Sequence, residues 1–344
     1  MTFSPRSFDS SSIDLNGRSI LVTGGTGSFG RAFVRAVLER YEPRKLIVFS
    51  RDEVKQYEMA QEFNHQTYPC MRYFIGDVRD RDRLELAMRE VDYVIHAAAL
   101  KQIDTAEYNP FECLHTNVYG AENVVRAVLR TGVDQVIALS TDKAANPINL
   151  YGASKLASDK IFVAANSLSG TIGTRFSVVR YGNVVGSRGS VIPLFQRLIA
   201  DGAESLPITD PRMTRFWITV KQGVDFVLSA FAMMSGGEIF VPKIPSMKIT
   251  DLACALAPNL PHHVIGIRAG EKLHEVMITE DDARNTVELR DRYVTEPAFA
   301  TWSRTSYRDI GGVPMENGFR YASDTNTEWL DAEGIRAYLA EAEP

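Results

Sequence analysis

Short apolar runs recur along the first half of the chain, separated by amphipathic stretches long enough for helices. Ser19–Thr23, Lys45–Phe49, Tyr73–Ile75, Tyr93–His96, Gln135–Ser140 and Ser177–Val179 read as strands buried on both faces. Arg31–Arg40, Val54–Phe63, Arg81–Arg89 and Gly120–Arg130 read as the helices between them. Such alternation predicts an α/β fold, a doubly wound parallel sheet covered by helices on both faces. Beyond Gly182 the rhythm gives way to Gly186-Ser187-Arg188-Gly189 and to Pro193, Pro207 and Pro211, which predicts a smaller C-terminal substrate lobe. A helix over Gln222–Met233 and a strand over Glu238–Val241 are expected to return to the main sheet before the lobe resumes at Ile249.

Composition narrows the class. A chain of 344 residues with an ordinary apolar fraction can bury a full core, and a net charge of -5 without any basic run argues against nucleic acid or an anionic membrane as partner. The 3 cysteines lack disulfide or zinc spacing, and the 6 histidines lack metal-ligand spacing; His262-His263, beside Pro261, reads as a loop. No metal site is expected. Residues 1–16 lack the apolar core of a signal peptide and no later segment reads as a membrane span, so a soluble, cytoplasmic protein is expected.

Gly24-Gly25-Thr26-Gly27-Ser28-Phe29-Gly30 follows the first strand and opens the first helix, the context in which Gly24, Gly27 and Gly30 let backbone approach a dinucleotide pyrophosphate. Thr26, Ser28 and Phe29 belong to the same turn; the alternative is a plain tight turn. The second strand ends in Ser50-Arg51 with Asp52 and Lys55 behind. Arg51 suits a 2'-phosphate and favours NADP, whereas Asp52 keeps NAD open. Asp77 and Val78 are placed at the adenine edge, Asp77 with helix capping as its alternative, and Ala97 and Ala98 offer small residues against the cofactor. The expected division is a Rossmann-like NADP-binding domain over 15–185, rejoined by 220–245, with 186–219 and 246–335 forming the substrate lobe.

Candidate chemistry concentrates between Thr141 and Lys155. Tyr151 and Lys155 are four apart and share a helix face, so the ammonium is expected to lower the phenol's pKa; the alternative is a surface tyrosine beside a solvated lysine. Thr141, Asp142 and Lys143 end a strand, where open α/β sheets carry their chemistry, and bring an acid and a base together. A turn role remains the alternative for Thr141. Asn183, Arg188, Arg215 and Arg268 are placed near sugar and pyrophosphate, with surface ion pairing as the alternative for the guanidinium groups. Lys101 is placed between cofactor and substrate or else is a solvated loop lysine.

The glycine turn with Tyr151-x-x-x-Lys155 resembles the extended short-chain dehydrogenase/reductase family. Ser50-Arg51-Asp52-Glu53, Tyr73 to Asp80, Leu139 to Ala144, Arg180 to Gly189, Arg212 to Trp217 and Ile267 to Lys272 are similar to the PseB-type inverting UDP-N-acetylglucosamine 4,6-dehydratases within it. The resemblance implies NADP as cofactor, UDP-N-acetylglucosamine as substrate, and Val191 among the substrate-binding residues. It also implies that Tyr151, supported by Lys155, takes the carbon 4 hydroxyl proton, with Thr141 hydrogen-bonded to that hydroxyl. Lys143 would then remove the carbon 5 proton while Asp142 protonates the departing carbon 6 hydroxyl. Reprotonation from the opposite face would yield the L-arabino 4-ketosugar for pseudaminic-acid-type glycans such as those on flagellin. Members tend to be multimers, so a homo-oligomer is expected. Retaining relatives carry Asp-Glu where this chain has Asp142-Lys143, and 4-epimerases lack the acid/base pair. The chain departs from the pattern at Lys101-Gln102-Ile103-Asp104, where members commonly read Lys-His-Val-Pro, and in a longer His65–Cys70 loop. A UDP-hexosamine 4-epimerase, a retaining dehydratase and a non-catalytic NADP-sensing protein remain the alternatives.

Overall fold

In the computed structural model, which describes residues 6–170, 173–187 and 189–342, the apolar runs line up as the core of a ten-stranded sheet. β1 (Ser19–Thr23), β2 (Lys45–Ser50), β3 (Met71–Ile75), β4 (Tyr93–His96), β5 (Gln135–Thr141) and β6 (Arg175–Tyr181) pair in parallel in the order β3-β2-β1-β4-β5-β6. That is the order of doubly wound dinucleotide folds. β1 is buried along its whole length, with Leu21 set between Ile47 of β2 and Val94 of β4. Helices α1 (Ser28–Arg40), α2 (Glu53–Glu62), α3 (Arg81–Ala87), α4 (Ile103–Tyr108), α5 (Pro110–Leu114), α6 (Gly120–Thr131) and α7 (Leu150–Ala165) connect these strands.

Beyond β6 the chain comes back to the main sheet. The helix Val220–Met233 starts at a capping box in which Thr219 and Gln222 satisfy each other's backbone N–H groups, and Ile239–Pro242 then pairs in parallel with β6. The sheet continues antiparallel through Arg292–Thr295, Thr286–Glu288 and Val313–Pro314, so part of 246–335 extends the main sheet. A second core of buried side chains, including Ile192, Phe195, Trp217, Met247, Leu252 and Tyr338, marks the smaller lobe.

Several local readings shift. β5 runs on through Thr141, and Asp142–Ala144 form a 3-10 turn, so Asp142 and Lys143 follow the strand instead of ending it. His262-His263 lies in a short strand, His262–Val264, paired with Leu206–Ile208, because its backbone completes a lobe ribbon despite the neighbouring proline. No group of side chains able to hold a metal ion occurs among the described residues, and no described helix is long and apolar enough to cross a membrane. Cys113 is buried, Cys70 half-buried and Cys254 exposed, all as free thiols.

Candidate active site

A cavity of about 1100 Å³ opens at the carboxyl ends of the parallel strands, between the sheet and the smaller lobe. It lies at the crevice where strand order reverses between β1 and β4, the usual ligand position in open α/β sheets. One end is lined by the turn Gly24 to Gly30, the other by Thr141, Lys143 and Tyr151, with Arg215 and Arg268 supplied from beyond β6. The space exceeds that of a single drug-sized ligand and suits a dinucleotide with a second nucleotide.

The nucleotide end is made largely of backbone. α1 begins at Ser28 without any side-chain cap, so its first N–H groups face the cavity as anion donors. Gly30 is required here, since a Cβ at that position would collide with the Gly25 carbonyl. Behind the turn, Thr23 Oγ1 lies 2.9 Å from His96 Nδ1 and accepts from the N–H groups of Ala97 and Ala98 at 3.2 and 3.3 Å. Burial, followed by the charge of Lys155, pushes His96 down to about 3, so the ring is neutral at pH 7.

At the adjoining strand ends, Ser50 is buried and pinned by Gln56, whose amide donates to its carbonyl and hydroxyl, each at 3.0 Å. Asp52 caps α2, accepting from the Lys55 N–H at 3.0 Å, and its other oxygen pairs with Lys55 Nζ at 2.7 Å. Arg51 stands exposed, 3.9 Å from Asp77. Capping of α3 falls to Asp80, not to Asp77, which pairs with Arg79 at 2.7 Å. Val78 is buried at this rim, and Ala97, Ala98 and Lys101 line the cavity wall after β4. The loop carrying Lys101 is clamped by Asn117, a residue the sequence reading missed. Its side chain exchanges hydrogen bonds with both backbone groups of Leu100 and donates to Ser154 of α7 at 2.9 Å.

The chemical end is built from buried ions. α7 packs onto the Asp142–Ala144 turn because Gly152 leaves room for the Lys143 carbonyl, where a Cβ would collide. This sets Tyr151 beside Thr141 and Lys143. Burial pushes the Tyr151 phenol up to about 12, and the influences drawing it back are the Lys143 ammonium and a hydrogen bond with Thr141. The expected partner, Lys155, is itself held below its ordinary value by burial, with Asp159 opposing. The expected lowering of the phenol's pKa by Lys155 is therefore not found: burial outweighs it, and the cation acting on the phenol is Lys143. Lys143 Nζ lies 3.1 Å from Asp142 Oδ1 and 3.1 Å from a Glu275 oxygen. Burial alone would lower the ammonium's pKa, but the two carboxylates hold it above the ordinary lysine range. Asp142 is fully buried beneath the cavity wall, and burial followed by the charge of Glu275 raises its pKa.

Arg215, expected at the pyrophosphate, is buried and donates to the carbonyls of Thr214, Leu273 and Lys272. Arg268 sits exposed at the rim, 3.8 Å from Glu271. Asn183 and Val191 line the cavity from the start of a short strand and of the helix Val191–Ala200. Arg188 lies outside the described residues. Two ionisable residues escaped the sequence reading: Glu275, and Lys272, whose Nζ donates to the Ala145 carbonyl at 2.5 Å. The signal present was Gly270-Glu271-Lys272-Leu273-His274-Glu275, charges directly after a glycine turn.

Residues 20–297 match the family described as polysaccharide biosynthesis protein. The chain is 60% identical over 325 residues to a UDP-N-acetylglucosamine 4,6-dehydratase (inverting) of Campylobacter jejuni, covering 93% of this chain and 96% of that one. It is 44% identical over 283 residues to a UDP-glucose 4-epimerase of Rickettsia massiliae, covering 80% and 82%. The X-ray structure of Pen from Bacillus thuringiensis superposes with a TM-score of 0.85 at 33% identity, covering 95% of this chain and 99% of that chain. With the doubly wound sheet, the glycine turn and the Tyr151/Lys155 helix face in one cavity, the chain belongs to the polysaccharide biosynthesis protein family of extended short-chain dehydrogenases/reductases, among the relatives of the inverting UDP-N-acetylglucosamine 4,6-dehydratases.

Proposed function

We propose that the protein dehydrates UDP-N-acetylglucosamine across carbons 5 and 6 with inversion at carbon 5, using NADP. The observation that carries this reading is the buried Asp142–Lys143 pair, 3.1 Å apart, beside Tyr151 in a cavity with a dinucleotide cradle. An elimination needs an acid and a base together, which a simple epimerisation does not. Support for a dinucleotide comes from Gly30, whose missing side chain leaves backbone room, and from the uncapped start of α1. Support for NADP over NAD comes from Asp52, already engaged as a cap and neutralised by Lys55, beside an exposed Arg51. When bound, the dinucleotide, held by the Gly24–Gly30 turn, would supply hydride transfer between carbons 4 and 6, and carbon 5 would take a solvent-derived proton from the opposite face.

The chain's own residues divide the proton work. Tyr151, as phenolate, takes the carbon 4 hydroxyl proton, and Lys155 on the same face of α7 would hold the nicotinamide ribose. The resulting ketone acidifies carbon 5, from which Lys143 takes the proton once its ammonium has passed one to Asp142, 3.1 Å away. Asp142 supplies the proton for the departing carbon 6 hydroxyl, and Thr141 bridges to the sugar, since it lines the cavity and hydrogen-bonds Asp142 at 3.0 Å. Lys101, Asn183, Val191, Arg215 and Arg268 hold the sugar and pyrophosphate. Placement in a pseudaminic-acid-type route, homo-oligomeric assembly and a cytoplasmic setting belong to the same reading and rest on the family resemblance.

Incubation with UDP-N-acetylglucosamine, followed by mass spectrometry and NMR, tests the reading. The expected product has lost one water and carries a carbon 6 methyl group. A product that is only the 4-epimer would install the second reading, which the identity to the Rickettsia epimerase favours.

A further inference from the structure

Lys143 is held by two carboxylates, and one comes from a distant part of the chain. Glu275 lies just before the strand Val276–Ile278, and Ser323 clamps its backbone on both sides. Its N–H donates to Ser323 Oγ at 2.9 Å, and its carbonyl accepts from the Ser323 N–H at 2.8 Å. Its side chain is 1% exposed, with Oε1 3.1 Å from Lys143 Nζ and 3.7 Å from Arg215 Nε, and with Lys272 Nζ 4.0 Å from Oε2. Oε2 of Glu275 and Oδ2 of Asp142 are both buried without a hydrogen-bond partner among the described residues.

We propose that Glu275 is a positioning residue for the elimination: by staying ionised beside Lys143, it leaves Asp142 as the carboxyl that keeps the proton the departing hydroxyl needs. The inference rests on the dehydratase reading and deepens it. Two carboxylates sharing one ammonium do not ionise with equal ease. Within 4 Å Glu275 also has Arg215 and Lys272, whereas Asp142 has only Lys143 at that range among the described residues, with Lys272 acting on it from farther off. Burial pushes both carboxyls up, but Lys143, Arg215 and Lys272 bring Glu275 below its ordinary value while Asp142 stays raised. The remaining groups facing the cluster are Lys101 and Tyr151 toward Lys143, Arg180 toward Lys272, and Asp159 toward Tyr151.

The working form has Asp142 protonated and Lys143 as the amine, one proton fewer than the fully protonated pair and one more than the bare pair. Elimination therefore rises with pH through the pKa of Asp142, stays level, and falls through that of Lys143. A neighbouring anion raises both values, so removing it moves both limbs to lower pH.

The test is the pH profile of dehydration by the nucleotide-bound Glu275→Gln enzyme. Both limbs are expected to move down by about one pH unit or more, the scale of one lost charge at this distance. Glu275→Asp, which keeps the charge, is expected to bring them back toward the wild-type positions. Limbs that stay in place in Glu275→Gln, whatever happens to kcat, overturn the proposal. If Glu275→Gln does not fold around its nucleotide, infrared spectroscopy of the wild-type protein decides. The expected result is a neutral buried carboxyl that vanishes in Asp142→Asn and a Glu275 that is ionised; a neutral Glu275 overturns the proposal. That measurement needs no turnover, so its failure is distinct from failure of the dehydratase reading, which the wild-type product alone decides.

Discussion

The two ends of the cavity are built on opposite principles. At the glycine-turn end, backbone, glycines and a helix start line the cavity, and charged side chains such as Arg51 stay near water. At the chemical end, Asp142, Lys155, Arg215 and Glu275 are all buried, and their charges are set by one another more than by solvent. The first end is local: strand, turn and helix occupy consecutive residues. The second is assembled from β5, α7, the Thr214–Ile218 strand and the segment before Val276. A local cradle tolerates change at its rim, whereas a buried charge cluster changes its proton states when any member is lost.

Substitutions sharpen that contrast in descending order of effect. Lys143→Met should lower dehydration by ~100-fold or more, the scale of general acid–base catalysis, while released nucleotide shows the cradle still loaded. Near-normal turnover would remove Lys143 from the chemistry. Tyr151→Phe should give a comparable loss at an earlier step, checked by rapid-mixing absorbance: no transient reduced nicotinamide should form. Gly30→Ala should strip the nucleotide, because the added Cβ meets the Gly25 carbonyl; a protein that still purifies with a full complement would show the cradle to be looser than described. Arg51→Ala should be mildest, weakening NADP relative to NAD by roughly tenfold, since one exposed charge-assisted contact is worth about 1.5 kcal/mol. An unchanged NADP/NAD ratio would move 2'-phosphate recognition away from Arg51.

The same contrast explains what could be read from the sequence. Gly24, Gly27 and Gly30 announce themselves because the strand before and the helix after them are written in adjacent residues, and the apolar runs announce a parallel sheet, whose order β3-β2-β1-β4-β5-β6 only the structure supplies. Tyr151 and Lys155 are legible as a helix face, yet which cation acts on the phenol is not. That depends on Gly152 letting α7 settle against the Lys143 carbonyl. Glu275 is invisible for a deeper reason: in sequence it is one acidic residue among many, and only the pairing of its backbone with Ser323 brings it to Lys143, 132 positions earlier. His262-His263 shows the opposite failure, where a proline neighbour suggests a loop but a partner strand, Leu206–Ile208, recruits the backbone.

In the proposed reaction Asp142 and Lys143 act as an acid and a base on opposite tasks in one elimination, with carbon 5 deprotonated on one face and reprotonated on the other. Early-time NMR of the product formed from UDP-N-acetylglucosamine in deuterium oxide tests it most directly. The account predicts an L-arabino 4-ketosugar carrying solvent deuterium at carbon 5, with the hydrogen from carbon 4 of the same molecule found at carbon 6. A first product with the D-xylo configuration, or a 4-epimer that has lost no water, would contradict it.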